Sequence, residues 1–405
     1  MKARTPIWLV FCDQSHSLRP GLSLNLQLKD EMLPEVPSTI SEDADEFPSG
    51  RVIPISARPA RTKLVRREER DYSQTLRISG QLLLLALNIW IGVQFCFWVR
   101  WAESGGRLPE VPRPAGIEGW LPIEGLMQLK YFLLTGHVPS VHPAGFFLFV
   151  AFLTMSVLFR KSFCSWLCPV GTASEYLWKL GRFTFGRNFR LPRWADVTLR
   201  SLKYLLLAFF AYAVIGISAA SIAEFLGSPY ALIVDVRMLN FFRYLGTTSA
   251  IVLLVLIVAS ILVQNFWCRY FCPYGAFLGL ASLLSPSRIT RNQGTCVDCA
   301  KCAKACPSLL PVDKLVQIRS AECTGCLECV AVCPAKDTLA MTIPSGWHKR
   351  RALPAWSIAA GIAVLFLGLV AYARVTNHWN TEIPRQVYLQ LVPQASEQSH
   401  PMPAQ

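Results

Sequence analysis

Twelve of the fourteen cysteines in this 405-residue chain fall into two spacing patterns, and each pattern specifies a chemistry. Residues 296–334 carry the run C-x2-C-x2-C-x3-C-P twice, as CVDCAKCAKACP and CTGCLECVAVCP. Soft thiolates favour iron–sulfur centres, and two-residue gaps let three sulfurs close around one cubane. The fourth cysteine, followed by proline, serves the other cluster. One [4Fe–4S] cluster is therefore expected on Cys296, Cys299, Cys302 and Cys333, and a second on Cys323, Cys326, Cys329 and Cys306. Zinc takes four ligands per ion and has no need of this rhythm. Two adjacent clusters move single electrons and by themselves catalyse nothing.

The second pattern is FCSWLCPVG at 163–171, repeated as WCRYFCPYG at 267–275. The offset is constant at 104 residues, Cys164 to Cys268 and Cys168 to Cys272. Cysteines at i and i+4 are expected on one face of a helix, and the following proline ends that helix or begins the next. The bland alternative is small cysteines buried at a helix exit. Two matched copies favour a functional site of up to four sulfurs, redox-active or metal-binding, while static disulfides do not suit a reducing compartment.

The elements that must position these sulfurs are apolar. The chain is 52% hydrophobic, and five windows, near 77–99, 142–160, 203–222, 248–267 and 353–373, approach the ~20 apolar residues that cross a bilayer. The expected fold is an α-helical polytopic membrane protein of about five spans, with a small α+β module holding the clusters. Each CxxxCP motif follows a span, so spans one–two and three–four read as tandem hairpins of shared orientation. Four regions follow: a basic N-terminal region 1–76, a four-helix membrane domain 77–285, a two-cluster module 286–348, and a fifth helix with an outer tail, 349–405.

The net charge of +14 is distributed by loop. Seven Arg and Lys lie in 51–70 and nine in 160–203, against two in 223–247. Rich and poor loops alternate as the positive-inside rule requires, so the N-terminus and the cluster module are expected in the cytoplasm and the C-terminus outside. The charge is topological, and nucleic acid is not an expected partner. Residues 1–12 are too brief for a cleaved signal peptide, and Met32 is an alternative start. Residues 119–136 suit an interfacial helix better than a span.

The six histidines, His16, His137, His142, His348, His378 and His400, avoid the span interiors, which excludes haem held by paired histidines. His137 and His142 stand outside the second span, where an imidazole can take a quinol proton; a loop turn and a helix start are the simpler reading. Glu118, Glu124, Glu224 and Asp235 are weaker candidates on that side. Lys301, Lys304 and Lys336 suit either an acidic partner or plain solvent. Cys12 and Cys96 belong to neither pattern.

FCSWLCP, CRYFCPYG, GHVP and the twin cysteine runs resemble the NapH-type membrane ferredoxins of periplasmic nitrate reduction and the membrane half of NosR-type proteins, over roughly 77–345. The resemblance implies electron transfer between membrane quinol and a respiratory redox partner in the bacterial inner membrane. The long N-terminal region and the fifth span depart from that family, and the flavin domain of full NosR proteins is missing, so any flavoprotein partner is a separate chain. On this reading the four CxxxCP cysteines couple the membrane domain to the clusters through thiols or a further metal or cluster. A cupric or metal reductase serving assembly of a copper enzyme, and a redox-sensing regulator, remain as alternatives.

Overall fold

The structure, a computed structural model, describes residues 65–68, 71–345 and 350–398. The N-terminal basic region up to residue 64, with Cys12 and His16, lies outside the described residues, as do His348 and His400.

Every expected apolar window carries a helix. Helix α1 runs Ser73–Glu103, α2 Pro122–Thr135 and α3 Pro143–Phe159. After them come α4 (Ser162–Trp166), α5 (Pro169–Phe185) and α6 (Arg193–Gly216). Three shorter helices, α7 (Ala219–Leu226), α8 (Pro229–Leu232) and α9 (Val234–Arg243), lead into α10 (Thr247–Leu262). A π-helical turn, Trp267–Phe271, precedes α11 (Pro273–Ala281). Short helices α12 (Lys301–Ala305) and α13 (Glu328–Ala331) lie in the cysteine runs, followed by α14 (Ala355–Val375) and α15 (Arg385–Leu391).

Length is where the five-span expectation meets the structure. Among the described residues three helices, α1, α6 and α14, are long and apolar enough to cross a membrane, or four if α9 and α10, bent by 82°, count as one span. Helix α3, at 17 residues, reaches only ~26 Å at 1.5 Å per residue, short of a ~30 Å hydrocarbon core. It is nonetheless the most enclosed of the apolar helices, with eleven of its residues buried.

Strands β1 (Arg288–Arg291), β2 (Leu339–Pro344) and β3 (Arg350–Leu353) form one antiparallel sheet in that order. The cysteine runs fill the β1–β2 connection, and β3 feeds directly into α14. The stretch has too few large apolar residues for a core of its own, and it shares one. Phe152, Met155, Phe163 and Trp166 belong to the same buried cluster as Ile289, Val312, Leu327 and Met341, with Ile358 and Ile362 of α14. A second core gathers the far end of α1 (Phe95, Trp98, Val99), Ile117, Ile233 of the α8–α9 link, Val236 of α9 and Tyr388 of α15.

Candidate iron–sulfur and thiol site

The two cysteine runs build two separate cradles. Cys296, Cys299, Cys302 and Cys333 line one small cavity, and Cys306, Cys323, Cys326 and Cys329 line another. In each, the fourth cysteine comes from the opposite run. The backbone repeats the arrangement. Asp298 and Ala300 flank Cys299 at φ 52° and 55°, while Gly325 and Leu327 flank Cys326 at φ 63° and 60°. Non-glycine residues held in left-handed geometry persist only where their surroundings demand it, and such turns point successive N–H groups into a concavity that favours an anion. An anionic iron–sulfur cluster meets that demand.

Among the described residues, no three His, Cys, Asp or Glu side chains approach closely enough to share one metal ion. The sulfurs surround a space instead, which suits a multi-iron cluster and not a mononuclear zinc site with ~2.3 Å bonds. The cradles differ in depth: Cys306, Cys323 and Cys329 are buried, whereas Cys299 is exposed.

The CxxxCP motifs are not single helical faces. Cys164 sits in α4, the chain leaves the helix at Leu167, and Cys168 is the extended N-cap of α5. Cys268 lies in the π-helical turn, and Cys272 caps α11 in the same way. The prolines therefore start helices, as they favour doing at the first position. Gly171 N–H donates to Cys168 Sγ at 3.4 Å and Gly275 N–H to Cys272 Sγ at 3.2 Å, so each second cysteine receives a donor from a helix N-terminus. Gly171 has a further reason to be glycine, since a Cβ there would stand 2.2 Å from the Cys164 carbonyl oxygen.

All four cysteines line one cavity of about 1000 Å³, together with Lys161, Tyr274 and Cys326. Lys161 is buried among them. Burial pushes the Cys164 thiol up to about 12 against the pull of Lys161, and the Cys168 thiol to about 11 against its Gly171 hydrogen bond. Burial thus favours neutral thiols, and a metal binding at them would displace their protons.

Residues between the paired cysteines join the chamber to the second cradle. Ser165 Oγ donates to Thr324 O at 2.7 Å and Trp166 Nε1 to Gly325 O at 3.2 Å, both inside the Cys323–Cys326 turn. The positions 104 residues later act alike: Arg269 donates to Ser308 O at 2.8 Å, and Tyr270 shares Asp196 with it. Arg77 at the start of α1 completes the clamp, bonding Glu175 at 2.6 and 2.8 Å and Glu328 at 2.9 Å, while Gln74 Nε2 donates to Cys326 O at 3.0 Å. None of these was singled out from sequence. The available signal was a hydrogen-bond donor recurring at the repeat offset between two cysteines.

Comparison with known proteins bears on this arrangement. A profile described as a 4Fe-4S binding domain matches residues 141–188 and again 245–292, each stretch bracketing one CxxxCP motif. A 4Fe-4S dicluster domain matches 288–334. YccM of Escherichia coli, whose name places it provisionally in electron transport, is 49% identical over 328 residues, which cover 80% of this chain and 92% of YccM. The chain belongs to the NapH/NosR-type membrane polyferredoxins. The ferredoxin-type protein NapH of Escherichia coli is 23% identical over 50% of this chain and 69% of its own length. NirI of Paracoccus denitrificans is 26% identical over 51% of this chain, but only 30% of NirI is covered. No solved structure matches. This polyferredoxin is thus an iron–sulfur electron-transport protein whose described residues include three helices long and apolar enough to cross a membrane.

At the end of the polyferredoxin away from the cradles, four of the weaker sequence candidates meet. His142 Nδ1 lies 2.8 Å from Glu124 Oε1. Arg113, which lines the large cavity, bonds Glu118 at 2.7 Å and Asp235 at 2.7 Å. His137 and Glu224 are exposed and take no part. His378 packs against Phe147, and Cys96 is half-buried on α1.

Proposed function

We propose that this polyferredoxin draws electrons from a membrane quinol bound in the large cavity and delivers them, through its cysteine-held centres, to a respiratory redox partner. The observation that carries the reading is continuity: the cavity wall that holds Cys164, Cys168, Cys268 and Cys272 also includes Cys326, and Ser165 and Trp166 bond directly to the turn before it. Apolar residues of α1 such as Leu84, Leu87 and Ile91 line the remainder, as a prenylated ring requires. When bound, [4Fe–4S] clusters supply one-electron chemistry at the eight cysteines of the two runs.

The same reading assigns a further metal or cluster to the four CxxxCP cysteines. It is supported by the 4Fe-4S description of the matched stretches and by buried Lys161, a cation suited to an anionic centre. The starts of those two stretches differ by the 104-residue offset of the cysteines, which supports two tandem hairpins. With α3 and α10 counted as spans, the chain crosses the inner membrane five times, its N-terminal region and clusters cytoplasmic and its C-terminus outside. The four-region division at 76/77, 285/286 and 348/349 follows, although β3 ties the last boundary into the sheet. The partner is a separate redox protein, a flavoprotein where the pathway resembles that of NosR.

The test is anaerobic. The reconstituted protein is mixed with a quinol and the iron–sulfur absorbance followed. Rapid bleaching, lost on Cys164→Ser or Cys268→Ser, is expected. Bleaching by dithionite but never by quinol sinks the quinol reading and turns attention to a soluble donor.

A further inference from the structure

The buried polar network at the far end of the cavity is oversupplied with acceptors. Glu124 Oε2, Gln128 Oε1 and His142 Nε2 are each buried without a hydrogen-bond partner. His142 is fully buried, Gln128 is fully buried, and Glu124 is 8% exposed. An orphaned buried polar atom is costly, so three in one place call for an occupant. His142 is also held at φ 50°, ψ 48°, immediately before Pro143. Left-handed backbone at a buried non-glycine residue is a strain kept at functional positions.

Charge points to what the occupant is. The groups that face the pair come from five elements: Glu124 and Gln128 from α2, Glu118 from the turn Ala115–Trp120, Arg113 before it, Asp235 from α9, and Tyr388 of α15, whose ring faces Arg113 at 5.7 Å. Three carboxylates thus meet one guanidinium, and His142 is the group able to change charge: burial pulls its pKa down, but Glu124 and Glu118 push it up to about 9. The two halves of the network touch over Gly145. Glu118 Oε2 accepts from Gly145 N–H at 3.1 Å, and a Cβ on Gly145 would lie 3.6 Å from Gln128 Oε1. Arg113 then carries the network to the cavity wall.

We propose that Glu124, Gln128 and His142 form a proton-loading site, with the Arg113–Glu118–Asp235 cluster linking it to the cavity. Its use in turnover rests on the quinol reading above. Oxidation of one quinol breaks two O–H bonds and releases two protons and two electrons. The two electrons would go to the one-electron centres that the cysteine runs would hold, one proton to Nε2 of His142 and the other to water. Glu124 holds the ring through Nδ1 and offsets the positive charge that forms.

Two measurements separate this site from the quinol reading. In the first, quinol-driven bleaching is timed from about pH 7 to about pH 10, across the value of about 9 to which Glu124 and Glu118 raise His142. Wild type should slow as the pH falls, because a loaded site accepts nothing. His142→Asn, which tolerates the left-handed backbone, and Glu124→Gln should be slower by about 10²-fold and lose that pH profile, while dithionite bleaching stays normal. A His142→Asn rate and profile equal to wild type overturns the proposal. In the second, no quinol is present: the resting protein is treated with dicyclohexylcarbodiimide, which modifies protonated carboxyl groups in apolar surroundings, and digested for mass spectrometry. Adduct on Glu124 that grows as the pH falls is expected, and its absence at every pH overturns the site even if quinol bleaches normally. Adduct formation without quinol bleaching would retain the proton site and remove the quinol reading.

Discussion

Replacing Arg77 by methionine should uncouple the membrane helices from the second cradle. Arg77 is 1% exposed and makes a bidentate pair with Glu175 and a third bond to Glu328. Removing one partner of a buried ion pair typically costs about 3–5 kcal/mol, because the other charge is stranded. Here Lys179 still reaches Glu175, at 2.5 Å, though it is one-third exposed and only 4.0 Å from Glu328. The loss should therefore sit near the lower bound, about 3 kcal/mol. At roughly 2 °C per kcal/mol for a chain of this size, that is a fall of about 6 °C in thermal midpoint, read by tryptophan fluorescence in detergent. Adding Glu175→Gln to Arg77→Met neutralises the stranded carboxylate and should recover about 1–2 kcal/mol. Quinol-driven bleaching should slow in Arg77→Met while dithionite bleaching does not. A midpoint unchanged within a degree, or a double variant less stable than Arg77→Met alone, would refute the reasoning.

Acid should weaken the same clamp: burial pushes the Glu175 carboxyl up, but Arg77 and Lys179 hold it down to about 2, against an ordinary value of 4.5. Its contribution is thus complete above about pH 4.5 and disappears as the pH falls through about 2, so the thermal advantage of wild type over Glu175→Gln should shrink across that window. The two motif glycines should differ, since an added methyl at Gly171 meets a carbonyl at 2.2 Å and at Gly275 only the Cys272 sulfur at 3.4 Å; Gly171→Ala should cost about 2–3 kcal/mol and Gly275→Ala less than 1, compared by thermal midpoint. Cys333→Ser should remove the iron signal of the exposed cradle and Cys306→Ser that of the buried one, each leaving the other cradle's signal intact; loss of the same signal from both variants would reverse the assignment.

Local chemistry made much of this legible without tertiary contacts. The x2-x2-x3-P runs dictate which sulfurs can reach one cubane, because short turns confine three thiols and proline redirects the fourth. The apolar windows found the helices, since a bilayer accepts little else. Span counting was less secure: α3 and α10 are apolar throughout but stop at 17 and 16 residues, and helix length depends on where capping and packing end it. The i, i+4 reading of the CxxxCP motifs failed for a related reason. Spacing alone assumes an unbroken helix, whereas Cys168 and Cys272 leave the helix to cap the next one.

Residue type and short-range spacing carry the donor chemistry, the 104-residue offset and the alternation of basic loops, and they are the ground for assigning the eight run cysteines to two sets. Packing of remote elements brings both CxxxCP motifs to one cavity with Cys326, carries Arg77 to carboxylates 98 and 251 residues away, and gathers Glu118, Glu124, Asp235 and His142. Those are encounters between elements remote in the chain. They arise from packing of whole helices around α3, which no local pattern of residues encodes.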